Sequence, residues 1–140
     1  MLTGLAESLR ATSAEGRLGT LVALRLIVAA PAPEVPGEAL AGLIHWASAC
    51  LNLTPARLCV VGSGASLAAT VSYPEGETAL IALSRGRPGA RLILLGNRGA
   101  AYHESGEPSP AAGPPPAAPS GSNLPAAVRE SLQSGRPVDL

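Results

Sequence analysis

The apolar positions of the chain change from a helical spacing to an alternation with a period of two. Leu2–Ala11 and Glu38–Leu53 place apolar residues at i, i+3 and i+4, which predicts two amphipathic helices. Leu21–Ala29 is an aliphatic, β-branched run that predicts a long strand. After Pro55 the alternation predicts five short strands with Gly or Pro between them. These strands are Arg57–Val61, Leu67–Tyr73, Thr78–Ser84, Arg91–Leu95 and Ala100–His103.

The last third of the chain predicts a linker and a final helix. Ser105–Gly121 contains six prolines among small residues, so we expect a flexible, partly extended segment. A short helix should follow, with Asn123 as its cap, Pro125 in its first turn and Gly135 at its end. The predicted division is therefore a sheet domain over residues 1–104, a linker over 105–122, and a helix and tail of the same domain over 123–140.

This order of elements predicts an α+β fold. We expect a mostly antiparallel open sheet of about six strands, with the helices on one face. A hydrophobic fraction of 46% supports a packed core, and the absence of Phe means that Leu, Val, Ile and Ala must fill it. The ten Arg balance ten acidic residues without forming a basic run, which argues against a nucleic-acid partner.

The cysteines and the apolar runs of the sequence indicate the compartment in which we expect the protein. Cys50 and Cys59 lie nine residues apart without a CxxC motif, so we expect two free, buried thiols and no metal site. The first residues lack the basic start and apolar stretch of a signal peptide, and no apolar run reaches membrane-spanning length. The expected location is the cytoplasm, without a membrane partner.

Four motifs resemble the C-terminal domain of the Gfo/Idh/MocA oxidoreductases, the group of glucose–fructose oxidoreductase and inositol dehydrogenase. They are similar to the family's entry into its first long strand, its acidic-Gly turn, its late glycine turn and its closing ESxxxGRPV segment. In chain order they are Gly16–Val22, Val71–Gly76, Leu95–Ala100 and Glu130–Val138. The resemblance implies an open sheet that pairs with another sheet in oligomers, and NAD(P)-dependent oxidoreductase activity in a complete family protein.

The nucleotide-binding part of that family is missing from the sequence. Its Rossmann turn is G-x-G-x-x-G followed by a helix, whereas Gly62–Gly64 precedes the strand-like Leu67–Tyr73 and is interpreted as a hairpin loop. The family's lysine of the E-K-P motif has no counterpart in a chain without Lys. We therefore expect no cofactor, or NAD or NADP only when a Rossmann partner supplies the site in trans, and no activity of the chain alone.

The family's substrate-facing His and Asp are replaced as well. Anchored on Pro55, these positions fall beside Leu43 and Trp46, while His45 lies out of register. His45 is the one weak candidate for a catalytic proton relay, and a histidine on the flank of a helix is the alternative. Trp46 fits either a binding pocket or core packing, and His103 is expected to be solvated.

Two functions compete on this evidence from sequence. The first is a non-catalytic oligomerisation or binding module, and the second is a subunit that completes a sugar or polyol oxidoreductase with a separate Rossmann domain; a truncated product without a function is a third reading. The strand Leu21–Ala29 is apolar on both alternating sets, so the sheet should self-associate. The predicted interface residues are Arg25, Leu24 and Leu26, with Arg25 paired to a carboxylate.

The missing Rossmann turn generates a direct test. The purified chain should show no binding of NAD(H) or NADP(H) in titration calorimetry at cofactor concentrations of about 1 mM, because neither a pyrophosphate-binding helix start nor the lysine is present. A micromolar dissociation constant would contradict this expectation.

Overall fold

The computed structural model describes residues 2–31, 36–105 and 117–140. Within these ranges the chain forms three helices and seven strands. In chain order they are α1 (Leu2–Glu15), β1 (Leu21–Ala30), α2 (Pro36–Leu51), β2 (Arg57–Ser63), β3 (Ser66–Ser72), β4 (Thr78–Arg85), β5 (Gly89–Gly96), β6 (Gly99–Ser105), α3 (Leu124–Ser134) and β7 (Val138–Asp139).

All seven strands form one open sheet in the order β6-β5-β1-β4-β3-β2-β7. Strand β1 lies between β4 and β5, parallel to the first and antiparallel to the second. The other neighbours are antiparallel, so the predicted α+β fold with a mostly antiparallel sheet is confirmed. The spacing of the strands predicts hairpins between consecutive strands. However, β4 and β5 are consecutive in the chain but do not pair, because β1 lies between them. The sheet has seven strands rather than six.

The three helices cover one face of the sheet, as predicted, and the core lies between them. From β1 the core takes Leu24, Leu26 and Val28, at 2%, 0% and 0% exposure. Leu24 and Leu26 are therefore wrongly predicted as interface residues. Arg25 points to the opposite, uncovered face, because successive side chains of a strand alternate between faces.

Strand β7 and helix α3 both contact β2 at its edge of the sheet. Helix α3 was predicted from the sequence, whereas β7 was not. Two residues are too short to show a period, yet Val138–Asp139 pairs with the start of β2. Beyond β7, the fully buried hydroxyl of Ser131 accepts a hydrogen bond from the Val60 amide at 2.8 Å and donates one to the Arg136 carbonyl at 2.8 Å. The closing motif Glu130–Val138 thus holds α3 and β7 against the edge strand β2.

Two further family-like motifs pack against each other at the far end of the sheet. The backbone of the Gly16–Thr20 turn meets the β5–β6 hairpin through the amide of Arg98 and the carbonyl of Leu18, 3.0 Å apart. The side-chain oxygen of Asn97 accepts the amide of Thr20 at 3.0 Å. A Cβ on Gly96 would collide with the carbonyl oxygen of Leu18. The two motifs therefore constrain each other, because their backbones are in contact.

Local predictions are largely confirmed, with one correction at α3. Gly62–Gly64 forms part of the β2–β3 hairpin, and Pro74–Gly76 forms a turn closed by the Gly76 amide on the Tyr73 carbonyl at 3.1 Å. Asn123 precedes α3, but its side chain makes no capping bond; the hydroxyl of Ser122 accepts the Leu124 amide instead, at 3.2 Å.

The predicted linker falls mainly on residues 106–116, which lie outside the described residues. Ser105 belongs to β6, so the strand extends beyond the predicted boundary at residue 104, and the division of the chain at 105 and 122 otherwise stays a prediction. Across the described helices, none is long and apolar enough to cross a bilayer.

Adjacent valines on β2 offer a matched test of the two faces. Val60 is 1% exposed on the helix side, whereas Val61 is 60% exposed on the open side. Val60→Ala should lower the free energy of unfolding by about 2 kcal/mol, since it removes two buried methyl groups and leaves a cavity. Val61→Ala should cost less than about 0.5 kcal/mol. Urea unfolding of both variants decides the point, and equal losses would contradict the assigned faces.

The two glycines that flank the β5–β6 turn separate a packing role from a general turn preference. Gly96→Ala should destabilise the chain by about 1–3 kcal/mol, because the new methyl group strikes the Leu18 backbone. Gly99→Ala is the control, since no atom lies within 4 Å of its added Cβ. Thermal unfolding of the two variants at one protein concentration measures the difference. A harmless Gly96→Ala would refute the proposed backbone contact.

Candidate interaction surface

In the described part of the chain, no helix covers the second face of the sheet, so its side chains do not belong to the core. Strand register aligns its side chains in rows that run across the sheet. The middle row contains Tyr102, Ile93, Arg25, Leu80, Thr70 and Cys59, in the order β6 to β2. We call this surface the open face.

The open face is apolar on one half and polar on the other. Strands β6, β5, β1 and β4 contribute five large apolar side chains and several alanines, whereas β3 and β2 contribute mostly small or polar side chains. The apolar half contains Ala23, Ile27, Leu80, Ile93, Leu95 and Tyr102. Three of these are strongly exposed, with Leu80 at 36%, Leu95 at 44% and Tyr102 at 55%. Exposed apolar side chains that adjoin one another mark an interaction surface.

Arg25 is the exception within the apolar half. Its neighbours in the ladder are Leu80 on β4 and Ile93 on β5, and no described residue forms an ion pair with it. The other charged side chains of the open-face rows are paired. Arg91 lies 3.4 Å from Glu104 across β5 and β6, and a second exposed pair joins the far strands β2 and β7.

A shallow depression of about 290 Å³ opens at one end of this half. Ile27 and Ala29 of β1 form one side of it, and Arg87, Arg91 and Glu104 supply its charges. It joins the open face at the row of Arg91. It therefore forms part of the same surface and is not a separate enclosed site.

The predicted catalytic candidate does not form a site. His45 is half-buried on α2 and makes no hydrogen bond or ion pair with any described residue. Leu43 is fully buried, and Trp46 packs against the core, which confirms the packing interpretation of Trp46. The two positions at which the family resemblance led us to expect substrate-facing side chains thus carry apolar residues, with Leu43 in the core and Trp46 packed against it.

A polar group that the sequence analysis missed lies beneath α2. The hydroxyls of Ser48 and Tyr73 are 2.9 Å apart in the core, and one carboxylate oxygen of Glu77 is buried nearby without a described hydrogen-bond partner. Burial raises the pKa of the Tyr73 phenol, the bond to Ser48 opposes this rise, and the charge of Glu77 adds to it. The spacing of these residues along the chain contains no signal for the contact, which depends on α2 crossing the end of β3.

His103 and the cysteines differ from their predicted surroundings. His103 is half-buried rather than solvated, because its Nε2 lies 3.1 Å from the hydroxyl of Thr12 on α1, on the helix side of β6. Cys50 and Cys59 are both free, but each is half-buried rather than buried. Among the described residues, no three His, Cys, Asp or Glu side chains are grouped to hold a metal ion.

Several solved dehydrogenase structures contain a part with the same fold as this chain. A myo-inositol dehydrogenase from Corynebacterium glutamicum superimposes with a TM-score of 0.71 at 20% identity, over 96% of this chain and 61% of that one. The chain has the fold of part of a dehydrogenase. A myo-inositol 2-dehydrogenase from Lactobacillus plantarum gives 0.67 at 13% identity, with the same two coverages. A scyllo-inositol dehydrogenase from Lactobacillus casei, with bound NAD(H) and scyllo-inositol, gives 0.58 at 12% over 70% of this chain and 38% of that one.

These likenesses confirm the predicted resemblance to the sheet domain of Gfo/Idh/MocA-type dehydrogenases at the level of the fold. No protein-family model and no curated protein matches the chain in sequence. The chain spans less than two thirds of the dehydrogenases that it resembles. Their chemistry consequently comes to this chain only as a proposal.

The buried phenol of Tyr73 and the half-buried thiol of Cys50 predict how the stability of the chain responds to alkaline pH. Burial raises the pKa of the Tyr73 phenol above 10.0, and that of the Cys50 thiol above 9.0 against the opposing charge of Arg10. The unfolded chain releases these protons at a lower pH than the folded chain does. The free energy of unfolding should therefore be highest below about pH 9 and fall as the pH rises through about 10.

Urea unfolding at about pH 7.5 and about pH 10.5 measures this loss. Tyr73→Phe should lose less stability over the same range than the unaltered chain, because it has no phenol to ionise. An equal loss in both proteins would contradict the assignment to Tyr73.

Proposed function

We propose that this chain is a non-catalytic docking module that forms a twofold dimer through the open face, in the cytoplasm. The observation that carries the proposal is the group of exposed apolar side chains on one half of that face, which lies opposite a core already covered by three helices. Large apolar side chains such as Leu95 and the ring of Tyr102 are exposed to water. Packing a second sheet on them would lower the free energy by burying this apolar surface.

The size of the face suits such a dimer. Six full strands spaced about 4.8 Å apart, with seven or eight residues at about 3.4 Å each, span roughly 700 Å². Stable complexes bury about 800 Å² on each partner. Two sheets stacked face to face keep their strands within about 30° of each other and interdigitate their side chains. The Ile, Leu and Ala side chains on the apolar half of the open face are suited to that packing.

The polar groups support a docking role over a catalytic one. The candidate His45 has no described polar partner to orient it, and the Ser48–Tyr73 pair lies in the core. General acid or base catalysis needs a titratable group within hydrogen-bond reach of the substrate. Neither His45 nor the Ser48–Tyr73 pair meets that description in the described chain.

A second candidate is favoured by the partial coverage of the dehydrogenases. The chain spans 61% of the Corynebacterium enzyme, so a separate Rossmann domain could complete an NAD(P)-dependent oxidoreductase acting on a sugar or polyol. Such a partner would bring the nucleotide site and the reactive groups. Recovery of NAD-dependent polyol oxidation only when a defined Rossmann protein is mixed with this chain would establish it over the docking module alone.

Sedimentation velocity tests the dimer. The unaltered chain should sediment as a dimer at tens of micromolar, and Leu95→Asp, which puts a charge in the apolar half, should sediment as a monomer. Ser66→Asp is the matched control, since Ser66 lies on the polar half of the same face. Circular dichroism should show that all three proteins are folded. A monomeric unaltered chain at that concentration would refute the proposal.

A further inference from the structure

One edge of the sheet is closed in the described chain, and the other is open. At the β2 edge, β7 pairs with the first residues of β2, and α3 packs against the same strand. At the opposite edge, β6 pairs with β5 alone. Strand β6 keeps a regular register over 7 residues and contains neither proline nor lysine, two residue types that commonly protect an edge. It therefore offers a template for a further strand.

The register of the β5–β6 hairpin decides which backbone groups of β6 point outward. Gly96 and Gly99 flank the turn and form a hydrogen-bonded pair, and so does every second pair beyond them. The intervening residues Ala100, Tyr102 and Glu104 direct their amides and carbonyls away from β5. No hydrogen bond from another described element reaches these groups. Such groups pair best with a backbone that is itself extended.

The position of α1 determines what kind of strand can be added. Helix α1 packs on β6 beneath the sheet, where the hydroxyl of Thr12 lies 3.1 Å from Nε2 of His103. A second copy paired edge to edge would place its own α1 under a strand only about 4.8 Å away. Packed helices need axes about 8–10 Å apart, so the two copies of α1 would collide. The edge therefore suits an extended segment with no helix beneath it and disfavours a second copy.

The side chains along this edge define the chemistry of the segment. In an added strand, the residues opposite Ala100, Tyr102 and Glu104 would lie on the open face and continue its rows. The first would approach Leu95, which is 44% exposed behind Ala100, so an aliphatic side chain suits that place. The second suits a β-branched side chain beside the Tyr102 ring. The third suits a basic side chain beside the Glu104 carboxylate.

Glu104 can accept a hydrogen bond from such a basic side chain. One of its oxygens lies 3.4 Å from Arg91, and the other accepts the Tyr102 hydroxyl at 3.2 Å. Each carboxylate oxygen accepts more than one hydrogen bond, and the Glu104 side chain is 49% exposed. A basic residue would complete a row in which charges alternate in sign, whereas an acidic residue would face a like charge.

We infer that the outer edge of β6 binds an extended peptide segment of a partner protein by strand addition. The segment pairs antiparallel with Ala100–Glu104, and from its N-terminus it reads basic, any, β-branched, any, aliphatic. Antiparallel pairing is chosen because it is slightly more stable per residue than parallel pairing. Main-chain hydrogen bonds supply the affinity, and alternate side chains supply the specificity. The inference goes beyond the open-face dimer and does not rest on it, because these backbone groups lie on the edge.

N-methylated peptides test the strand addition. The probe is the fluorescein-labelled peptide Ser-Arg-Thr-Val-Thr-Leu-Ser, in which Arg, Val and Leu would direct their amides to β6 and the two Thr would direct theirs to solvent. Fluorescence anisotropy measures its dissociation constant, expected at about 0.1 mM for so small a contact. N-methylation of Val removes a pairing amide and should raise the constant at least about tenfold. N-methylation of either Thr should change it less than about twofold.

Variants of the chain locate the site. Tyr102→Pro removes the central outward amide without removing a hydrogen bond to β5, and it should weaken peptide binding at least about tenfold. Tyr102→Val keeps that amide and is the control, with an expected change of less than about threefold. Replacing Arg of the peptide by Glu should raise the constant about fivefold or more, and Glu104→Gln should remove most of that preference. Thermal unfolding shows whether each variant is folded.

Amide hydrogen exchange of the isotope-labelled chain distinguishes the edge from the open face. With peptide bound at saturation, the amides of Ala100, Tyr102 and Glu104 should exchange about tenfold more slowly. Ala101 and His103, whose amides already bond to β5, are the internal reference and should change little.

The outcomes decide the inference without reference to the oligomeric state. Saturable binding that is lost on Val N-methylation and in folded Tyr102→Pro supports it. No binding up to about 2 mM peptide overturns it, and so does equal binding by the peptides methylated at Val and at Thr. A chain that binds the peptide but sediments as a monomer supports the strand addition and overturns only the open-face dimer.

Discussion

A sheet has two faces, and the helices of this chain cover one of them. The hydrophobic effect fixes that side: α1, α2 and α3 pack on alternate residues of every long strand, including Leu26 at no measurable exposure. The intervening residues of the same strands must then form the other face. On β6, β5, β1 and β4 those residues are largely apolar as well. Covering this second face would therefore also be favoured by the hydrophobic effect.

The motifs that resemble the dehydrogenases act as structural contacts in the described chain. The Gly16–Thr20 turn and the Gly96–Gly99 hairpin meet backbone to backbone, and Ser131 binds the free edge of β2. Each contact constrains the residue type through sterics or an otherwise unpaired amide. Such constraints persist without catalysis, so the resemblance specifies a fold and leaves the chemistry open.

The charged side chains of the open face affect which partner it can bind. Among its charged side chains, Arg25 alone lacks an ion-pair partner within the described residues, while Arg91 and Glu104 already face each other. A charge amid apolar side chains contributes little to folding, but it discriminates between partners, since a wrong partner leaves it buried and unpaired. Specificity through one charge is consistent with the docking role proposed for this face.

The sequence by itself determined the helices and six of the seven strands. Local periodicity and turn residues encode these features, because each depends on residues close in the chain. Tertiary structure decided that β1 inserts between β4 and β5, that Leu24 and Leu26 are core while Arg25 is on the open face, and that Ser48 meets Tyr73. Leu21–Ala29 is apolar at both parities, so its pattern could not choose a side; only packing against the helices could.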